Sequence, residues 1–528
     1  MGPGSAFIEA LCHPDVFNHP VDSIQVQETH ISWVLLTGPL AYKLRKPLKL
    51  GFLDFTTLDQ RLHDCREELR LNRRLVDHLY LGLSAVLNTA QGLRMVPMDE
   101  RGGAFSEMTS EGASVLEVAV RMRQFRQSAL LPATLARGAL GVDEIHALAE
   151  SLARFHCRAP RASADDPFGT PQVVLRPVIA NFTLLLQQAP SSLHGRLKRL
   201  QTWTQAEFQK RSPLLWQRKA SGRIRECHGD LHLGNMLWEG EKIEVFDCLE
   251  FNPALRWIDV ISEMAFLVMD LDQKGYASLG NRLLNRWLEW CGDYGALALW
   301  RWYVSYRALV RAKVAVLSGD HSDDGLTARY VAVAEDCMER RQPCLMMCHG
   351  VSGSGKSHFS AALAAELRGI RIRSDVERKR WFGRWGIPSA PVRQGNPYSA
   401  TVSAELFDHH LPDLAEQLLL EQFTVIVDAT FLWEKHRQPM ANLAERLGVP
   451  WLILNFQTPA DLVRRRIVER MARRDDPSDA DLAVLEQQDR EREPLTATEM
   501  EHSLAITPGT SAASMAITIK KRWRPQNF

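Results

Sequence analysis

Residues 227 to 251, CHGDLHLGNMLWEGEKIEVFDCLEF, hold two histidines, two aspartates and an asparagine in a short span. Asp230 is followed five residues later by Asn235, and the apolar run KIEVFD ends on Asp247. Phosphoryl transfer needs a carboxylate to accept a hydroxyl proton and oxygen ligands to hold Mg2+ on the phosphates. Asp230 suits the first task, and Asn235 and Asp247 suit the second. A hydrogen-bonded loop feeding a hairpin would also use Asp and Asn. Three spaced residues and a strand context would then have to coincide by chance.

A second set lies at 350 to 357, GVSGSGKS, which fits G-x-x-x-x-G-K-[ST] between an apolar strand and the helical run SHFSAALAAEL. In such a loop Gly350, Gly353, Ser354 and Gly355 let backbone N–H groups wrap phosphates, Lys356 reaches the outer phosphates, and Ser357 ligates Mg2+. Nineteen residues after Lys356 comes RSDVERKR. Asp375 is placed there to accept a proton from an acceptor hydroxyl, or to cap a helix, and both can hold. Arg378, one turn on, can hold an anion. TVIVDAT ends with Asp428, positioned for an acidic residue near Mg2+. The arginine-dense stretch LVRRRIVERMARRDDPSDADL reads as a lid, with Arg470, Arg473 and Arg474 facing in, or as a surface for nucleic acid.

These residues need elements to position them. THISWVLLTGPLAYKLRK, 29 to 46, reads as two strands around a Gly38-Pro39 turn, with Lys43 on the second. The helix that follows repeats Leu58, Leu62, Cys65, Leu69, Val76 and Leu79 at helical spacing. At about 100° per residue, Glu67 falls opposite this stripe toward water, while Glu68 lies about 80° from its centre. Glu68 is therefore the better placed to meet Lys43. From about 130 to 335 the chain reads as mostly helical, with strands and loops around 227 to 251. Beyond SGDHSDDGL and ERRQPC, the strands CLMMCHG, IRIRSD, FTVIVDAT, WLILNF and SLAIT alternate with helices, which implies a parallel, doubly covered sheet.

With 528 residues the chain exceeds one ordinary core. No apolar run approaches the ~18 residues of a membrane span. The opening MGPGSAF lacks the regions of a secretory leader, and nine scattered cysteines suit a reducing compartment, so a cytoplasmic location is expected. A net charge of +1 gives no global pull toward nucleic acid.

The first half resembles the aminoglycoside phosphotransferase branch of the kinase-like fold over about residues 25 to 320, on HGDLHLGN, FDCLEF and LARFH. The resemblance implies a Lys43–Glu68 pair, ATP with Mg2+, and a small-molecule acceptor. It also makes LEVAVRM, 116 to 122, the hinge whose backbone meets adenine. One departure is that no G-x-G-x-x-G covers the phosphates, only Gly38. The second half resembles P-loop kinases grouped with polynucleotide kinase, gluconate kinase and zeta-type toxins, on GSGKS, SDVERK and the arginine-rich stretch. The expected architecture is an α+β kinase-like bilobal domain (6–335, lobes meeting near 125) followed by an α/β P-loop NTPase domain with a parallel sheet (341–528). The expected function is a bifunctional kinase. A 5′-hydroxyl polynucleotide kinase half, or one domain regulating the other, are the alternatives.

Overall fold

The computed structural model describes residues 4–50, 53–98, 113–320, 322, 325–388, 391–473 and 479–522. The chain falls into two compact units. Met1–Leu140, Ala159–Val174 and Leu215–Glu263 form one, and Gly141–Arg158, Leu175–Leu214 and Met264–Phe528 form the other. Packing thus groups the helices after 264 with the C-terminal sheet.

The first unit is built on a six-stranded antiparallel sheet. Its order is Gln25–Glu28, Ser32–Leu36, Leu40–Arg45, Ser114–Arg123, Tyr80–Thr89, Gly92–Met98. The hairpin around Gly38 is present. Its glycine has φ +98° with open space around it, so the turn requires the conformation rather than the small size. Helix Leu58–Asn72 starts at a capping box between Thr57 and Gln60. It lays Leu62, Cys65 and Leu69 into a core with Leu83, Val118 and Val120, which fixes which face meets the sheet. Strand Gln25–Glu28 is exposed along its length, so no apolar alternation announces it.

In the second unit five strands pair in parallel, in the order Ile370–Arg373, Val425–Asp428, Leu345–His349, Trp451–Phe456, Ser503–Ile506. The first four of these are buried at every residue, as a sheet covered on both faces requires. The loop after the central strand therefore opens at the carboxyl edge where the strand order reverses, the position at which such sheets bind ligands. Ile370–Arg373 is an edge strand, and helix Ala277–Cys291 covers it. Asn285 Oδ1 accepts the Arg371 N–H at 2.7 Å, and the Asn281 and Asn285 amides donate to Gly369 O at 3.1 and 3.0 Å. These bonds occupy edge groups that would otherwise invite another chain. Among the described residues no helix is long and apolar enough to cross a membrane.

Candidate active sites

In the first unit, strand Ile224–Glu226 delivers the chain into the loop that carries Asp230. Gly229 has φ +89°, and a Cβ there would sit 3.0 Å from Leu255 O, so both conformation and space demand glycine. Its N–H donates to Glu263 Oε1 at 2.7 Å. His228 is fully buried. Its Nδ1 accepts the Asp230 N–H at 3.2 Å, which leaves the ring proton on Nε2 to donate to Phe246 O at 2.8 Å. Burial holds this ring below the ordinary imidazole range, hence neutral. The Asn235 amide donates to Asp230 O at 3.0 Å and Oδ2 at 3.2 Å. The hairpin Met236–Trp238 with Ile243–Val245 then returns the chain to Asp247, at φ +64°.

Lys43 Nζ lies 2.9 Å from Glu68 Oε1 and 2.5 Å from Asp247 Oδ1. All five residues of the first set thus sit in one unit, joined by hydrogen bonds and ion pairs into two neighbouring groups, Lys43–Glu68–Asp247 and Asp230–Asn235. Burial opposes charge on Asp247, but Lys43 overcomes it and holds the carboxyl below its usual range. Glu67 does not point free into water. It pairs with Arg70 and Arg256 at 2.9 and 3.1 Å, because Arg256 reaches the helix from a segment far along the chain.

Arg45 shares a strand face with Lys43, as strand alternation predicts, and although it is not the lysine such a site needs, it is 1% exposed and lies 2.5 Å from Asp64, Glu68 and Glu250 alike. Four carboxylates, Asp64, Glu68, Asp247 and Glu250, here meet two cations, Lys43 and Arg45. Burial pushes the Glu250 carboxyl up to about 8. Of the four, Asp247 alone has an exposed side chain, so it is the carboxylate that fits a divalent cation. Arg45→Met should remove about 3–5 kcal/mol of stability, since it strands buried carboxylates. Urea denaturation reads this, and a loss below about 1 kcal/mol would show that the cluster tolerates the missing cation.

The strand expected to meet adenine does not have backbone to spare. Ser114–Arg123 pairs with Leu40–Arg45 on one side and Tyr80–Thr89 on the other, so residues 119–122 are committed to ladders on both flanks. A base would have to meet the chain beyond Arg123.

In the second unit the glycine-rich loop joins strand Leu345–His349 to helix Lys356–Leu367. Gly350, Gly353 and Gly355 all have positive φ, and a Cβ on Gly353 would meet Ile467 at 2.9 Å. Lys356 is buried, its Nζ donating to Val351 O at 2.7 Å, and burial lowers its ammonium from the usual value. A cavity of ≈ 720 Å³ brings Lys356, Ser357, Asp375, Arg378, Asp428 and Arg470 together. Gly353 and Gly355 also line it. Gly350 and Ser354 do not, and the Ser354 carbonyl is taken by Thr458 at 2.9 Å.

Asp375 is the second residue of helix Ser374–Trp381. Arg378 donates to Pro397 O and Ser403 Oγ at 2.7 and 3.0 Å and lies 5.1 Å from the Tyr398 ring centre. Arg470 donates to Ala480 O at 2.5 Å. Arg473 ends helix Ala460–Arg473, but its side chain, like Arg474 as a whole, lies outside the described residues.

Asp428 Oδ2 is buried and accepts no hydrogen bond, with Arg373 Nε at 3.5 Å and Arg371 Nη1 at 3.8 Å. A buried carboxylate oxygen of this kind, lining the same cavity as the Ser357 residue, fits a divalent cation. Three participants were missed in the sequence. Arg371 and Arg373 alternate on one strand face, which was a usable signal. Glu289 was not findable, because it comes from helix Ala277–Cys291, 82 residues before Arg371. Glu289 Oε1 accepts from Arg371 at 2.5 Å, and although burial opposes ionisation, Arg371, Arg373 and Arg286 hold its carboxyl at about 2.

Two family models match separate stretches of the chain. Residues 108–300 match the phosphotransferase enzyme family, and residues 345–495 match an AAA domain. With the antiparallel lobe and catalytic-type loop of one half and the five-stranded parallel sheet of the other, they define a phosphotransferase. The enzyme is a kinase with two kinase-type domains of unrelated fold. Uncharacterized proteins of Mycobacterium bovis and Mycobacterium tuberculosis are 29% identical over 461 residues, spanning 86% of this chain and 88% of theirs. Among solved structures, the GDP complex of aminoglycoside 2′-phosphotransferase-IIIa is 13% identical over 61% of this chain and 93% of its own, with TM-score 0.33. A gluconokinase of Sinorhizobium meliloti is 16% identical over 35% and 100%, with TM-score 0.24.

Proposed function

We propose that the chain is a bifunctional kinase whose domains, 6–335 and 341–528, each transfer a phosphoryl group from ATP to an alcohol. One observation carries this reading: each unit holds its own full set of groups. Lys43, Glu68, Asp230, Asn235 and Asp247 belong to one, and Lys356, Ser357, Asp375 and Asp428 to the other.

In the first site Asp230 takes the proton of the acceptor hydroxyl as its oxygen bonds to the γ-phosphorus and the bond to the β-bridging oxygen breaks. The Asn235 amide orients that carboxylate. Lys43, held by Glu68, positions the nucleotide phosphates, and Asn235 and Asp247 would hold Mg2+. In the second site Asp375 takes the equivalent proton, Lys356 grips the outer phosphates, Arg378 and Arg470 line the space for anionic groups, and Ser357 and Asp428 would hold Mg2+. The metal, where bound, neutralises phosphate charge.

Small hydroxyl compounds are the proposed acceptors. The exposed Arg464 and Arg465 on helix Ala460–Arg473 favour a nucleic-acid end as the second reading for the C-terminal site. ATP-consumption assays against sugars, aminoglycosides, nucleosides and 5′-hydroxyl oligonucleotides separate the readings. Acceptor-dependent turnover at both sites supports two kinases. Turnover lost entirely through one site's variants would assign chemistry to that site alone.

A further inference from the structure

A second cavity, of ≈ 650 Å³, lies against the first turns of helix Lys356–Leu367, at Ser357, His358, Ala361 and Ala362, within the same compact unit. Six arginines line it: Arg282, Arg286, Arg371, Arg373, Arg466 and Arg470. Only Asp143 and Glu469 are acidic among its walls. Some of this charge is already used. Arg371 is held by Glu289 and by Ser357 O at 2.7 Å, and Arg286 pairs with Glu150 and Glu289. Among the described residues no carboxylate forms a close ion pair with Arg282 or Arg466, although Glu366 lies near enough to stabilise the Arg282 charge.

Two titratable groups register the positive potential inside. His146, on helix Val142–Arg158, falls to about 4, first through burial and then through Arg286, Arg371 and Arg282, against an opposing pull from Glu289. Arg282 itself is lowered by burial and by Arg371, with Glu366 opposing. A fold that gathers like charges in a recess holds an electrostatic cost that an anion would relieve. Guanidinium groups match phosphate oxygens in geometry as well as charge.

We propose that this cavity binds a small phosphate-bearing anion, with Arg282, which does not line the nucleotide cavity, as its anchor. The inference goes beyond the two kinase sites and does not require a nucleotide on that loop. Ser357, His358, Arg373, Arg466 and Arg470 line both cavities, so an occupant here would set the arginines that face the nucleotide cavity. That makes the site regulatory for the C-terminal domain.

The test uses the full chain carrying Lys356→Ala, which disables the glycine-rich loop, with inorganic pyrophosphate titrated by calorimetry. Pyrophosphate should bind, and adding Arg282→Glu should weaken it at least about tenfold. Arg329→Glu makes the same charge change on an exposed position outside the cavity and should alter affinity less than about twofold. Arg282→Ser gives the same reading should charge reversal disturb folding. Parallel titrations with inorganic phosphate and ribose 5-phosphate tell a free ion from a phosphate ester, and Arg282-dependent binding of either supports the site. No pyrophosphate binding, or equal weakening by Arg282→Glu and Arg329→Glu, overturns it. Nucleotide affinity of the chain without Lys356→Ala is read separately, so failure of the kinase reading would be visible on its own.

Discussion

Asp230→Asn should cut turnover at the N-terminal site by roughly 10²–10⁴-fold, the range for loss of a general base. The substitution is close to isosteric. The new amide oxygen can still accept from Asn235, which now donates to Asp230 Oδ2 at 3.2 Å, so the loop should keep its shape. What disappears is the capacity to take a proton. His228 stays neutral and buried behind the loop, donating to Phe246 O, and offers no replacement base. The melting temperature and nucleotide affinity should change little, while acceptor-dependent ATP turnover collapses. Less than about a tenfold loss would remove Asp230 from the role of proton acceptor.

Lys356→Ala should lower turnover at the C-terminal site by roughly 10²–10³-fold, comparable to removing one preorganised group that meets developing charge. Lys356 Nζ donates to Val351 O at 2.7 Å, and burial disfavours its charge. Phosphate oxygens would supply the missing counter-charge, so the lysine contributes far more with nucleotide than without it. The folded state should therefore tolerate the alanine, which removes one donor to the Val351 carbonyl and a long 3.5 Å contact to Ser354 Oγ, a cost of about 1–3 kcal/mol. Turnover assigned to Asp230 should be unaffected. A variant that melts far below the wild type, or one that retains turnover, contradicts the role given to Lys356.

Much of this was readable in the sequence because it is local. Helical angle placed Glu68 beside the Leu62–Cys65–Leu69 stripe, and that stripe is what packs on the sheet, so Glu68 arrives at Lys43. Apolar runs of buried strands gave the parallel sheet, and glycine spacing gave the loop at its carboxyl edge. Pairing across the chain was not local. Arg45 looked like any strand arginine until Glu250 arrived from 205 residues away. Glu289 clamps Arg371 from a helix that carries no phosphate motif. The resemblance made 116 to 122 the hinge that meets adenine, and nothing in the sequence shows that the strand carrying it is paired on both edges. On helix Ala460–Arg473, the arginine count was legible but not its aim. Arg466, one turn before Arg470, lines the nucleotide cavity and was not singled out.

Calorimetric titration of a non-hydrolysable ATP analogue with Mg2+ into the wild type and Lys356→Ala tests most directly whether the two sites are complete and separate. Two kinase sites require close to two nucleotides per wild-type chain. Lys356→Ala should then bind close to one, with the remaining affinity unchanged. A wild-type stoichiometry near one, or loss of all binding in Lys356→Ala, would contradict two independent sites.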